Sequence, residues 1–129
     1  MTGVLADPTI PAPSIEYGQL APMLIVFGAA VVGVLVEAFA PRSVRRGVHL
    51  VLTLGSLAAA FVLTVVVAAS RTIFAGGSPG HIAAMGAVAV DRPTLFIQGT
   101  ILVLALFFVV LNLVVDVIQA SIDPRIKRA

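Results

Sequence analysis

The chain has 129 residues, of which 60% are hydrophobic and 11% charged, and its mean hydropathy is +1.14. A soluble domain is about 45–50% apolar and about 25% charged, so this composition excludes a water-soluble monomer; it is also far too apolar for a disordered chain. One integral membrane domain, residues 1–129, is what remains at this length. Cysteine is absent, which excludes disulfides, thiolate metal sites and cysteine nucleophiles. The net charge of +2 does not point to nucleic acid, because six of the eight Lys and Arg residues flank apolar runs, where basic residues set topology.

In chain order, Met1 to Gln19 carries Asp7-Pro8, Pro11, Pro13 and Ser14, a proline density that predicts an extended lead-in. No basic residue precedes the apolar run that follows, so a cleaved leader is not expected. The first span covers about 20–40, Leu20 to Ala40, interrupted only by Glu37; about 20 helical residues cross the roughly 30 Å of a bilayer core. A short basic turn, Pro41 to Gly47, precedes the second span at about 48–70, which is uncharged and has His49 at its entry. The loop 71–94 contains Gly76 to Gly80 and Asp91-Arg92-Pro93. Its apolar middle, Ile82 to Val90, is too short to cross as a helix and reads as a hairpin or a surface-lying segment. The third span covers about 95–115, and a tail, 116–129, begins at Asp116.

Within hydrocarbon every backbone donor and acceptor must be paired inside its own segment, so each long run is expected to be helical. The valine-rich runs do not alternate as barrel strands would. The predicted fold is therefore all-α with three transmembrane helices. Arg42, Arg45 and Arg46 in the first turn and Arg125, Lys127 and Arg128 in the tail stand against only Arg71 and Arg92 in the other loop. That asymmetry predicts a cytoplasmic first turn and C-terminus, with the N-terminus and the loop 71–94 outside.

Glu37 is the one acid within a predicted span. Two readings stand open: an interfacial carboxylate close to Arg42, or a buried, proton-linked group. Asn112 and Asp116 share a helix face; they read as the membrane exit in preference to a hydrogen-bonding contact between helices. Small residues four apart, Ala29 with Gly33, Gly55 with Ala59 and Ser56 with Ala60, suit close helix approach. Gly76 to Gly80 is a turn, since no lysine-serine or lysine-threonine pair follows it as in a phosphate loop. His49 and His81 are expected on opposite sides of the membrane, so no shared metal site is predicted, and no nucleophile–base pair is visible.

Two stretches resemble known families. Ser14-Ile15-Glu16-Tyr17, Gly33-Val34-Leu35-Val36-Glu37-Ala38-Phe39, Pro41-Arg42, and Ala84 to Phe96 followed by Gln98-Gly99-Thr100 resemble the N-terminal part of an actinobacterial-type NADH-quinone oxidoreductase subunit N, over about 14–103. Leu106 to Arg128, with Asn112, Asp116 and Asp123-Pro124-Arg125, resembles the C-terminus of peptide-type ABC transporter permeases, which implies a chimera joined near Gln98 to Val103. The longer resemblance implies a truncated membrane-arm-like subunit in the bacterial inner (plasma) membrane, with other membrane subunits of a respiratory complex and the lipid bilayer as partners. It implies quinone and NADH for the complex alone, with no cofactor bound by this chain and no catalytic site. The later helices that carry the family's glutamate and lysines have no counterpart here, so a complete proton channel is not expected. The alternatives are a permease fragment and a non-catalytic structural membrane protein.

Overall fold

The computed structural model describes residues 12–70 and 80–122. Helix α1 runs Tyr17–Phe39, α2 runs Arg42–Ala69, strands β1 (Gly80–Ala83) and β2 (Val88–Asp91) form a hairpin around a 3-10 turn, and α3 runs Arg92–Ile122. The helices contain 23, 28 and 31 residues, so at 1.5 Å per residue they measure about 34, 42 and 46 Å. All three are long and apolar enough to cross a membrane. α2 packs against both α1 and α3. Few of their side chains are buried between helices: Pro22 on α1, Ala60, Thr64 and Val67 on α2, and Leu95 and Leu102 on α3. Phe27, Phe39, Phe96 and Phe108 point outward, which is costly in water and neutral in lipid.

The connection between α1 and α2 is tighter than the sequence suggests. Pro41 disfavours the helical region for Ala40, which is extended at φ −76°, ψ 141°, and α1 stops at Phe39. Pro41 then caps α2, its carbonyl accepting from the amides of Val44 and Arg45. The expected basic turn, Pro41 to Gly47, is thus largely helix, and Arg42, Arg45 and Arg46 occupy the first two turns of α2. Nothing after Pro41 breaks a helix, so hydrogen bonding begins at once. At the other end of the chain, α3 continues through Asp116 to Ile122, because a change of polarity alone does not stop a helix that has neither glycine nor proline there.

Residues 82–90 fold as the hairpin alternative. The strands pair antiparallel, Gly80 with Asp91 through Ala83 with Val88. Ala83, Val90, Leu95 and Val67 form a small core with Leu20 and Val88 packed on it, so the hairpin covers the end of the bundle where α1 begins, α2 ends and α3 begins. At the hairpin tip Ala84 and Met85 take left-handed φ values of 52° and 55°, a conformation that disfavours residues other than glycine.

Of the small-residue pairs, Ser56 with Ala60 lies toward the packed side of α2, while Gly55 and Ala59 are exposed. Gly33 faces α2, where a Cβ on it would stand 3.7 Å from the His49 ring and 3.9 Å from Leu52.

Candidate functional site

The polar chemistry within the helices concentrates where α1 ends and α2 begins. Glu37 lies in the last turn of α1, and Arg45 and His49 lie one turn apart on α2. The short Ala40-Pro41 link turns α2 back alongside α1 and brings these three side chains together. Arg45 Nη1 donates to Glu37 Oε1 at 2.6 Å, and Nη2 donates to the Ala40 carbonyl at 3.0 Å. His49 Nε2 lies 3.2 Å from Glu37 Oε2. One guanidinium therefore holds both the carboxylate and the carbonyl that ends α1, where the helix dipole is negative. A cation on the first turns of α2 would otherwise face that helix's positive end, and the Glu37 charge offsets this.

A groove of about 450 Å³ runs beside this cluster, lined by Ala30, Gly33 and Glu37 of α1 and by His49, Thr53 and Ser56 of α2. His49, Thr53 and Ser56 are spaced i, i+4, i+7, which sets them on one face of α2. Ser56 Oγ donates to the Thr53 carbonyl at 3.1 Å.

Farther along α2, Thr64 is buried, donates to the Ala60 carbonyl at 2.8 Å and accepts from Gln98 Nε2 of α3 at 3.3 Å. This is a side-chain bond across helices, the kind that holds membrane bundles together where hydrophobic collapse cannot. At the hairpin end, Glu16 Oε2 accepts from the Ala84 amide at 3.2 Å, with His81 Nε2 4.0 Å from Oε1. The Ala84 amide, and after it Glu16's own backbone amide, hold this carboxyl below its ordinary value. Asp91 caps α3 by accepting from the Thr94 amide at 2.7 Å, and the Thr94 side chain and amide lower its pKa.

The predicted site residues are thus divided. Glu37 pairs with Arg45 and His49, not with Arg42. Arg42 and Arg46 are exposed on the first turns of α2, and Asn112 and Asp116 are exposed on α3 with no hydrogen bond to α1 or α2. Arg125, Lys127 and Arg128 lie outside the described residues, as do Arg71 and Gly76 to Pro79. Sequence reasoning took Arg45 only as a topology determinant and gave Glu16, Gln98 and Thr64 no role. The Asp91-x-x-Thr94 spacing with Pro93 between is a readable capping signal. The Thr64–Gln98 bond has no such local signature. Among the described residues, no group of three His, Cys, Asp or Glu side chains could hold a metal.

Over 121 residues, 94% of the chain, it is 51% identical to NADH-quinone oxidoreductase subunit N of Rhodococcus opacus, of which this covers 20%. The chain is similar to subunit N. The same named subunit of Mycobacterium tuberculosis is 54% identical over 101 residues (78% of this chain, 18% of that protein), and that of Acidothermus cellulolyticus 55% over 97 residues (75% and 17%). The chain spans about a fifth of the length of these curated relatives. The Rhodococcus alignment leaves at most eight of the 129 residues uncovered. The likeness to subunit N therefore continues past Val103 into the part of α3 that suggested a permease, and these relatives give the permease chimera no support. No family model matches the chain, and no solved structure matches it.

Proposed function

We propose that the chain is the first three-helix portion of a membrane-arm subunit of a proton-translocating NADH-quinone oxidoreductase, seated in the bacterial inner membrane beside other membrane subunits. The observation that carries this reading is the 51% identity to a subunit N over 94% of the chain, joined to three helices long enough to span. In this role the chain scaffolds and holds a polar end cluster; it supplies no complete proton channel and binds neither NADH nor quinone. The basic residues Arg42, Arg45 and Arg46 support a cytoplasmic α1–α2 link, with the N-terminus and the hairpin outside. Glu37 is the candidate proton-linked group of this reading, an exposed carboxylate paired with Arg45 and 3.2 Å from His49.

The test is affinity purification of the full chain from membranes of an actinobacterial host. Recovery with dehydrogenase subunits supports the reading. Recovery with a nucleotide-binding ATPase, or with neither, overturns it.

A further inference from the structure

A second groove, of about 480 Å³, runs between α2 and α3 and falls within the usual size of a small-molecule cleft. α3 lines it with Arg92, Phe96, Gly99 and Val103, and α2 with Phe61 and Val65, residues three or four apart that share one face of each helix. Gly99 leaves room on its floor: a Cβ there would come no nearer than 3.9 Å to Phe61 and Thr64. The two hydroxyls in the walls give their protons to helix carbonyls, Thr64 to Ala60 and Thr100 to Phe96, each at 2.8 Å. The body of the groove is therefore apolar in its chemistry. Among the described residues, Arg92 is the one charged side chain lining it. Arg92 stands at the end of the groove, in the first position of α3, three residues before the apolar run begins at Leu95. The neighbouring Asp91 does not line the groove; its carboxylate accepts from the Thr94 amide at 2.7 Å. From Arg92 to Val103 the groove follows α3 for eleven positions, about 17 Å at 1.5 Å each. The distance from interface to midplane of a hydrocarbon core is about 15 Å. A second spanning helix would need twice that length, whereas a lipid chain from one leaflet needs no more.

We propose that this groove is a phospholipid-binding site, in which one acyl chain lies against Phe61, Phe96 and Gly99 while Arg92 holds the head phosphate. The guanidinium donates paired N–H bonds to two phosphate oxygens, and the first turn of α3 adds the positive end of a helix dipole. An arginine at that depth keeps its stem in hydrocarbon and its charged head at the interface. A free phosphate would use the head contact alone and leave the apolar walls bare. A hydrocarbon chain without phosphate would leave the Arg92 charge unmatched. The groove between α1 and α3, lined by Met23, Val26 and Ile97 among others, has no charged residue in its walls and gives a lipid no such anchor.

The test is photo-crosslinking of the full chain in detergent with phosphatidylglycerol that carries a diazirine near the end of one acyl chain, the adducts being mapped by mass spectrometry. The expected result is labelling around Val103 that saturates as the lipid is raised, while the groove at Val26 and Ile97 labels without saturating. Arg92→Gln should raise the half-saturating concentration by at least about tenfold, the effect of losing hydrogen bonds to a charged group. Arg92→Lys should recover part of that loss. Gly99→Leu, which fills the groove, should abolish the saturable labelling with helix content unchanged by circular dichroism. Arg92 is exposed, so its variants test the site even where Gly99→Leu disturbs the packing of α2 on α3. Diacylglycerol with the same diazirine chain should label without saturating, and glycerol 3-phosphate should not compete. Competition by glycerol 3-phosphate would mark a free-phosphate site and overturn the lipid assignment. Labelling spread evenly over the outward faces of all three helices overturns the proposal, as does unchanged saturation in Arg92→Gln. These measurements need no partner subunit, so failure to copurify with dehydrogenase subunits and failure of this site are separate results.

Discussion

Arg45 shows how one residue joins two helices. Its fork reaches Glu37, eight positions back, and the Ala40 carbonyl five positions back, a geometry a lysine ammonium cannot reproduce with one rigid plane. Both partners are partly exposed, so the pair's worth lies in fixing the angle between helices more than in stability. Glu16 performs a related task at the opposite end, and here pH gives a direct reading. Its carboxyl is held below the ordinary 4.5, first by the Ala84 amide. A lowered folded value means that the contact stabilises the docked hairpin fully above the ordinary carboxyl range and is lost as pH falls through the folded value. Hydrogen-exchange protection of the amides in 81–83 and 88–90, corrected for intrinsic rate, should be constant from about pH 7 to 5 and fall below about pH 4. Asp91 titrates in the same direction, so Glu16→Gln is the control: it should lower protection at neutral pH and flatten the part of the profile that Glu16 supplies.

The elements divide into those the sequence dictates locally and those that packing completes. α3 starts where it does because Asp91 caps it and Pro93 in its first turn needs no donor. The hairpin depends on Gly80, whose φ is +148° and whose added Cβ would fall 2.7 Å from the Val90 carbonyl oxygen and 2.8 Å from Asp91 Cβ. Backbone stands in the way there, so no rotamer change relieves the clash. Gly80→Ala should therefore destabilise the hairpin by more than about 1 kcal/mol. The expected outcome is faster exchange of the β1 and β2 amides with helix content unchanged by circular dichroism; an unaltered hairpin would contradict the strand pairing described. The apolar stretch Ile82 to Val90 announced that a nine-residue segment could not span, and left a hairpin and a surface segment equally open. What selects the hairpin is the small core of Val67, Ala83, Val90 and Leu95, in which Val67 comes from α2, 16 positions before Ala83.

At the scale of the molecule, three helices carry their apolar side chains outward and leave few buried between them, as a membrane solvent allows. The proposed orientation is open to a direct check because the chain has no cysteine. Ser14→Cys, before α1, and Ser121→Cys, near the end of α3, place single thiols on opposite sides. In intact cells a membrane-impermeant maleimide should label Ser14→Cys and leave Ser121→Cys unlabelled until the membrane is opened; the reverse pattern would invert the topology.

Composition and run length alone determined that lipid is the solvent and that three helices cross it, because a backbone in hydrocarbon has no other way to pair its amides. The same reasoning marked Glu37 as unusual, since a single acid in an apolar run is visible without coordinates. It could not choose that residue's partners. Which of three nearby arginines meets the carboxylate depends on where α2 begins and how it is rotated against α1, and those were settled by the Ala40-Pro41 turn and the close approach at Gly33. Likewise, Thr64 and Gln98 meet only because α2 and α3 lie side by side, at a separation of 34 residues that no local pattern records.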